Sequence, residues 1–202
     1  MKTIEEIVSS ISNPKKIWSR SEVLSRPNPI PTKNGIYAWY FSSIPPQVPV
    51  EACTYFEDKT LLYVGISPKN ESSSQDLRKR VTTHFRGNAE GSTLRLSLGV
   101  LLSKISGFDL RRVGSGKRKT FTHLGEQWLD SWMEENAHVL WVEHEMPWNV
   151  EKEILSKFSL PLNIQDNEHH HFSKRLSCLR VKAKKKADEL PIANEDSQKR
   201  SS

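Results

Sequence analysis

The chain has 202 residues, 36% hydrophobic and 27% charged, with a formal net charge of +6. That length is enough for one domain with its own core, and no apolar run approaches the ~18–20 residues of a membrane span. The acids Glu5 and Glu6 interrupt the opening stretch where a secretory leader needs apolar residues.

In chain order, Ile4, Ile7, Val8 and Ile11 share one face of a helix over residues 3–11. Ser19 or Ser21 caps a short second turn that ends before Pro27. Pro27, Pro29 and Pro31, then Pro45, Pro46 and Pro49, make extended loops, because proline forbids regular ladders. Between them the aromatic-rich run GIYAWYF (35–41) predicts a strand, and TLLYVGI (60–66) a second. A polar loop leads to a helix over 76–86, with Asp76 in its first turn and Leu77, Val81 and Phe85 as a narrow apolar stripe. The next helix, 93–105, turns Leu94, Leu98, Leu101, Leu102 and Ile105 inward.

Residues 108–113 suggest a strand and GSGKRK (114–119) a mobile basic turn. A strong helix spans 122–136, with Leu124, Trp128, Leu129 and Trp132 at helical spacing. Residues 139–142 read as a strand, and 150–158 as a helix ending before Pro161. From about residue 173 the apolar periodicity fades, and the lysine-rich end reads as disordered or loosely helical. Cys53 and Cys178 lie far apart without CxxC spacing, which excludes a disulfide scaffold and a zinc finger and fits a reducing cytoplasm.

The charge is uneven. Residues 78–119 hold eleven Lys/Arg against Glu90 and Asp109, and residues 173–202 hold nine against four acids. Two basic blocks suggest a polyanionic partner, with Arg78, Lys79, Arg86, Arg95, Lys117, Arg118 and Lys119 as candidate nucleic-acid contacts. On charge alone, a solvated helix face plus a solubilising tail explains the pattern equally well.

The two strands carry Gly35-Ile36-Tyr37 and Tyr63-Val64-Gly65. The helix after them reads Leu77-Arg78-Lys79-Arg80-Val81 and then His84; a later helix reads Glu151-Lys152-Glu153-Ile154-Leu155, followed by Pro161-Leu162-Asn163. In this order the elements resemble the GIY-YIG nuclease superfamily over residues ~34–165. The resemblance implies an α/β (α+β) fold, with a small, mainly antiparallel sheet flanked by helices. It implies a domain at 34–172, preceded by a helix and proline-rich lead-in (1–33) and followed by a flexible basic C-terminal tail (173–202). Relative to the family, residues 88–145 are an insertion, expected to be all-helical over about 88–136. The implied function is a divalent-metal-dependent endonuclease that hydrolyses phosphodiester bonds, in DNA before RNA. The alternative is a non-catalytic nucleic-acid-binding module on the same scaffold, and neither reading involves a membrane.

Phosphodiester hydrolysis needs an attacking water, stabilisation of added negative charge and help for the leaving oxygen. Glu151 is the candidate ligand for one Mg²⁺ or Mn²⁺, since a lone carboxylate suits an ion that keeps most of its waters. Arg80 offers a guanidinium fork for phosphate, and His84, one helical turn on, titrates near neutrality and is placed to pass a proton. The resemblance implies Tyr37 as base or water-positioner and Tyr63 in support. Asn163 has an amide to hold a phosphate oxygen or fix Glu151.

Each residue also has a plain structural explanation. Tyr37 and Tyr63 are ordinary strand residues, Arg80 can pair with Asp76, His84 can sit on a helix surface, and Glu153 competes with Glu151. Their joint occurrence in the family's order favours the functional reading. His169-His170-His171 cannot readily share one ion, because neighbours point apart, so solvent exposure is expected there. Residues 114–117 lack phosphate-loop spacing, and the tryptophans read as core.

Overall fold

In a computed structural model describing residues 2–195, the strands are β1 (Gly35–Phe41), β2 (Tyr55–Phe56), β3 (Lys59–Ser67), β4 (Arg111–Val113), β5 (Arg118–Thr120) and β6 (Ala137–Glu143). The helices are α1 (Ile4–Ser12), α2 (Arg20–Val23), α3 (Leu77–Arg86), α4 (Thr93–Ser106), α5 (Thr122–Asn136), α6 (Glu151–Ser156) and α7 (His171–Glu189). Four strands form one antiparallel sheet in the order β2-β3-β1-β6, and β4 and β5 form a separate hairpin.

All seven residues of β1 are buried, because helices cover both faces of the sheet. Successive strand residues point to opposite faces, and the two cores divide accordingly. Tyr37, Trp39 and Phe41 pack with Leu62 and with residues of α3, α4, α5 and α7. Ile36, Ala38 and Tyr40 pack with Ile7 and Ile11 of α1 and Ile154 and Leu155 of α6. The sheet is thus the middle of three layers, and Tyr37 faces the layer that contains α3.

Side-chain caps set the helix starts. Thr3 with Glu6 and Ser19 with Glu22 form capping boxes for α1 and α2. Asp76 accepts from Lys79 N–H at 2.7 Å and Ser92 from Arg95 N–H at 3.1 Å. Gly107 (φ +75°) closes α4 in the left-handed region, where a Cβ would be strained.

Several expectations are corrected. The stretch expected to be all-helical contains the β4–β5 hairpin. On α5 the inward face is Glu126, Leu129, Asp130 and Met133, while Leu124 is exposed; Ile105 of α4 is exposed too. The reason is Arg95, fully buried between the helices: its Nη2 meets Glu126 and its Nη1 meets Asp130, both at 2.7 Å. Arg95 Nη1 also donates to the carbonyls of His84 and Phe85 at the end of α3. A buried charge must be paired, so α5 turns its two acids inward. Arg95 is therefore an internal tie and not a nucleic-acid contact.

A further correction concerns the tail. Residues 171–189 form α7, whose Phe172, Leu176, Leu179, Ala183 and Ala187 lie on one stripe against the cores. Arg112 of β4 donates to the carbonyls of Ala187 (3.2 Å) and Leu190 (2.8 Å), so part of the basic block fastens the chain's own end. The last stretch of the expected tail, 196–202, lies outside the described residues.

Candidate active site

Pairing of β1 with β3 sets Tyr37 opposite Gly65. A Cβ at Gly65 would stand 2.6 Å from Tyr37 Oη and 2.7 Å from its Cζ, so only glycine lets the phenol lie across the neighbouring strand. The glycine of YVG is therefore a condition for the tyrosine of GIY. Tyr63, half-buried, has its ring centroid 6.4 Å from that of Tyr37.

Arg80 and His84, four residues apart on α3, both reach the Tyr37 oxygen. Arg80 Nε donates to it at 3.3 Å and His84 Nε2 stands 3.0 Å away. Arg80 Nη1 donates to Gly91 O at 3.2 Å, so its fork is tied to the protein on two sides, and Asp76 pairs with Lys79 instead.

The second nitrogen of His84 fixes the proton positions. Ser92 Oγ accepts from Arg95 N–H, and its own proton has one acceptor among the described residues, His84 Nδ1 at 2.7 Å. The network therefore assigns the His84 proton to Nε2, from which it is donated to Tyr37. Burial, with the Arg80 and Arg95 charges, holds the imidazole well below its ordinary range. His84 is thus neutral at neutral pH; the expected proton relay becomes a fixed donor. Burial and Tyr63 push the Tyr37 phenol up, against the pull of Arg80. The resting group is a protonated phenol that receives two N–H bonds, with its own proton directed elsewhere.

A cleft of 280 Å³ opens beside Tyr37 and Tyr63, and Glu151, Lys69, Asn163 and Arg180 line it. Glu151 opens α6 and is half-buried; Glu153, two residues on, is exposed and does not line the cleft. Burial pushes the Glu151 carboxyl up, offset by Lys69 and reinforced by Asp166. No hydrogen bond or ion pair engages its carboxylate among the described residues. No three His, Cys, Asp or Glu among those residues are grouped to cage a metal. One unpartnered hard-oxygen ligand at an open cleft fits a divalent ion that keeps most of its waters.

Asn163 serves differently from expectation. Its Oδ1 accepts from Val64 N–H (3.0 Å) and its Nδ2 donates to Val64 O (2.7 Å), so the buried amide pairs with the β3 backbone beside Gly65. It holds the strand and makes no hydrogen bond to Glu151.

Of the candidate nucleic-acid contacts, Lys117 and Lys119 line a second groove next to the cleft. Arg78 Nε is tied to Ile30 O at 2.6 Å, and Lys79 Nζ to Ser74 O at 2.8 Å. Arg86 and Arg118 are exposed. Of the three histidines, His169 and His171 are exposed as expected, but His170 is buried: it caps α7 through Phe172 N–H and meets Ser159 Oγ at 3.1 Å.

Ser92, Lys69 and Arg180 are the site residues that sequence reasoning missed. Ser92 had a legible signal, a serine immediately before a periodic helix. Arg180 was hidden because its helix reads as a tail.

A family model described as the GIY-YIG catalytic domain matches residues 35–182. Comparison with curated proteins and with solved structures gave no match. The family match runs from the first residue of β1 into α7, so the two strands, the Arg80–His84 face, Glu151 and Arg180 all lie inside it. The chain therefore belongs to the GIY-YIG catalytic-domain family, a family of nucleases.

Proposed function

We propose that the chain is a divalent-metal-dependent endonuclease that hydrolyses phosphodiester bonds, with DNA the preferred substrate and the cytoplasm its place of action. The observation that carries this reading is the doubly bonded Tyr37 oxygen beside a cleft that also holds an unpartnered Glu151. A divalent ion bound at the site supplies charge neutralisation at the phosphate and acidifies a water. Glu151 is the residue to hold it.

Tyr37 acts as the water-positioning group. Its oxygen accepts from Arg80 and His84, so its own proton is the one it donates, towards Tyr63 in the resting protein and to the attacking water or a phosphate oxygen once substrate is bound. If the phenol yields that proton to solvent, the same two N–H donors stabilise the phenolate. Arg80 adds fixed positive charge where the phosphate gains negative charge, and Tyr63 walls the cleft beside it. His84 orients Tyr37, and Asn163 positions β3.

Incubation of the protein with supercoiled plasmid and Mg²⁺ or Mn²⁺ tests this. Wild type and Glu153→Ala should convert the plasmid to nicked or linear forms, and Glu151→Ala should not. Active Glu151→Ala with inactive Glu153→Ala would overturn the assignment. A parallel RNA substrate ranks the two nucleic acids, and binding without cleavage by wild type would favour the binding-module alternative.

A further inference from the structure

The cleft beside Tyr37 does not end at Glu151. It shares Thr93 and Arg180 with the second groove, which Glu90, Lys117, Lys119 and Lys184 line. Arg180 and Lys184 stand four residues apart on one face of α7, ~6 Å along the helix axis. The charges of the two parts differ. The cleft balances Lys69 and Arg180 against Glu151 and Glu168, whereas the groove sets Arg180 and three lysines against Glu90 alone.

Carboxylates do not neutralise most of these cations. Lys119 Nζ pairs with Asp188 at 2.9 Å, and Glu90 accepts from the Lys119 backbone at 3.0 Å. Arg180, Lys184 and Lys117 have no carboxylate partner among the described residues. Arg180 is half-buried, and its burial is countered in part by the Tyr63 phenol and by no carboxylate. An unpaired, partly desolvated guanidinium between a reaction cleft and a basic groove is costly unless an anion completes it.

We infer that a nucleic-acid strand runs out of the Tyr37–Glu151 cleft across α7, its phosphates held by Arg180, Lys184 and Lys117. This rests on the phosphodiester reading above and adds the surface on which the substrate lies. The reacting phosphate takes the mixed-charge cleft, and the next phosphates take the basic groove. Arg180 is the shared contact, so the helix expected to be a flexible basic tail is a docked part of the binding surface. Contacts of this kind go to the backbone and carry no base information.

The test uses the full chain in EDTA, so that nothing turns over, with a fluorescein-labelled oligonucleotide as duplex and as single strand. Affinity is measured over a range of salt concentrations. Each phosphate contact contributes about 0.7–0.9 to the slope of log K against log salt. Arg180→Gln, Lys184→Gln and Lys117→Gln should each weaken binding and make the slope shallower by about one, while Arg180→Lys should keep the slope. Lys15→Gln, an exposed lysine outside the groove, should leave both unchanged. Unchanged slopes for all three groove variants would overturn the proposal, as would an equal loss in Lys15→Gln. Since Lys184 and Lys117 are exposed, their variants decide the matter even if Arg180→Gln misfolds. Plasmid cleavage by wild type is scored separately. A chain that never cleaves but loses slope in the groove variants retains this surface and loses the nuclease reading. A chain that cleaves with unchanged slopes does the reverse.

Discussion

Ser92 has one hydroxyl proton, and His84 Nδ1 is 2.7 Å from its Oγ. That bond assigns the imidazole proton to Nε2, which faces Tyr37, and burial with the Arg80 and Arg95 charges favours the neutral ring. The same fact has a consequence for stability. The His84 pKa is depressed on folding from an ordinary value of 6.5, so the unfolded chain takes up a proton that the folded chain refuses. The contribution is complete above about pH 6.5 and is lost as the pH falls below it, at up to ~1.4 kcal/mol per pH unit for one proton. The urea midpoint should therefore drop between pH 7 and 5, and His84→Gln should drop less over that range. Part of the slope should persist in the variant, because His138 and His170 are lowered by burial as well. Identical pH slopes for wild type and variant would show that folding does not depress the His84 pKa.

At the scale of elements, α3 is held by α4 and α5 through Arg95, which meets Glu126, Asp130 and two carbonyls at the end of α3. Glu126 in turn accepts from Ala89 N–H at 2.9 Å and Phe121 N–H at 3.2 Å. Removing one member of a buried ionic cluster strands the others, at ~3–5 kcal/mol. Arg95→Met should lower unfolding free energy by that amount in a urea titration, and adding Glu126→Gln and Asp130→Asn should recover part of it. A loss below ~1 kcal/mol in Arg95→Met would mean that water reaches the cluster. Because Arg95 braces the end of α3, this variant should also displace His84 from Tyr37.

At the scale of the whole molecule, the C-terminal helix closes the structure. Leu176 is fully buried and Ala187 likewise, and Arg112 fastens the end of α7. Cutting the chain after Phe172 removes this stripe and uncovers Leu96 and Leu110, which pack beneath it. Burying one leucine is worth ~1.5–3 kcal/mol, against a total stability of only ~5–15 kcal/mol. The truncated protein should melt at least ~10 °C lower or fail to fold, as thermal denaturation followed by circular dichroism will show. An unchanged melting temperature would mean that α7 is not docked in solution. The other end is equally built in: Tyr40 Oη donates to Ile11 O, which joins α1 to the central strand although α1 precedes the family match.

Sequence alone determined the elements whose signals are local. Strand 35–41 and helix 122–136 have the bounds their periodicity predicts, and the paired GIY and YVG strands with Leu77–Val81, Glu151 and Asn163 were enough to place the family. Only the tertiary structure decided which polar groups are buried and what they meet. Arg95 reads as one more surface cation until Glu126 and Asp130, on another helix, close around it. The stripe on α7 is thinned by two alanines and seven Lys/Arg, so its burial shows only when α4 and β4 lie beneath it. Glu151 is separated from Glu153 by the cleft, not by residue type, and Arg180 enters the site only because α7 docks. Periodicity reports how a segment folds on itself, whereas pairing between residues distant in the chain depends on how whole elements pack.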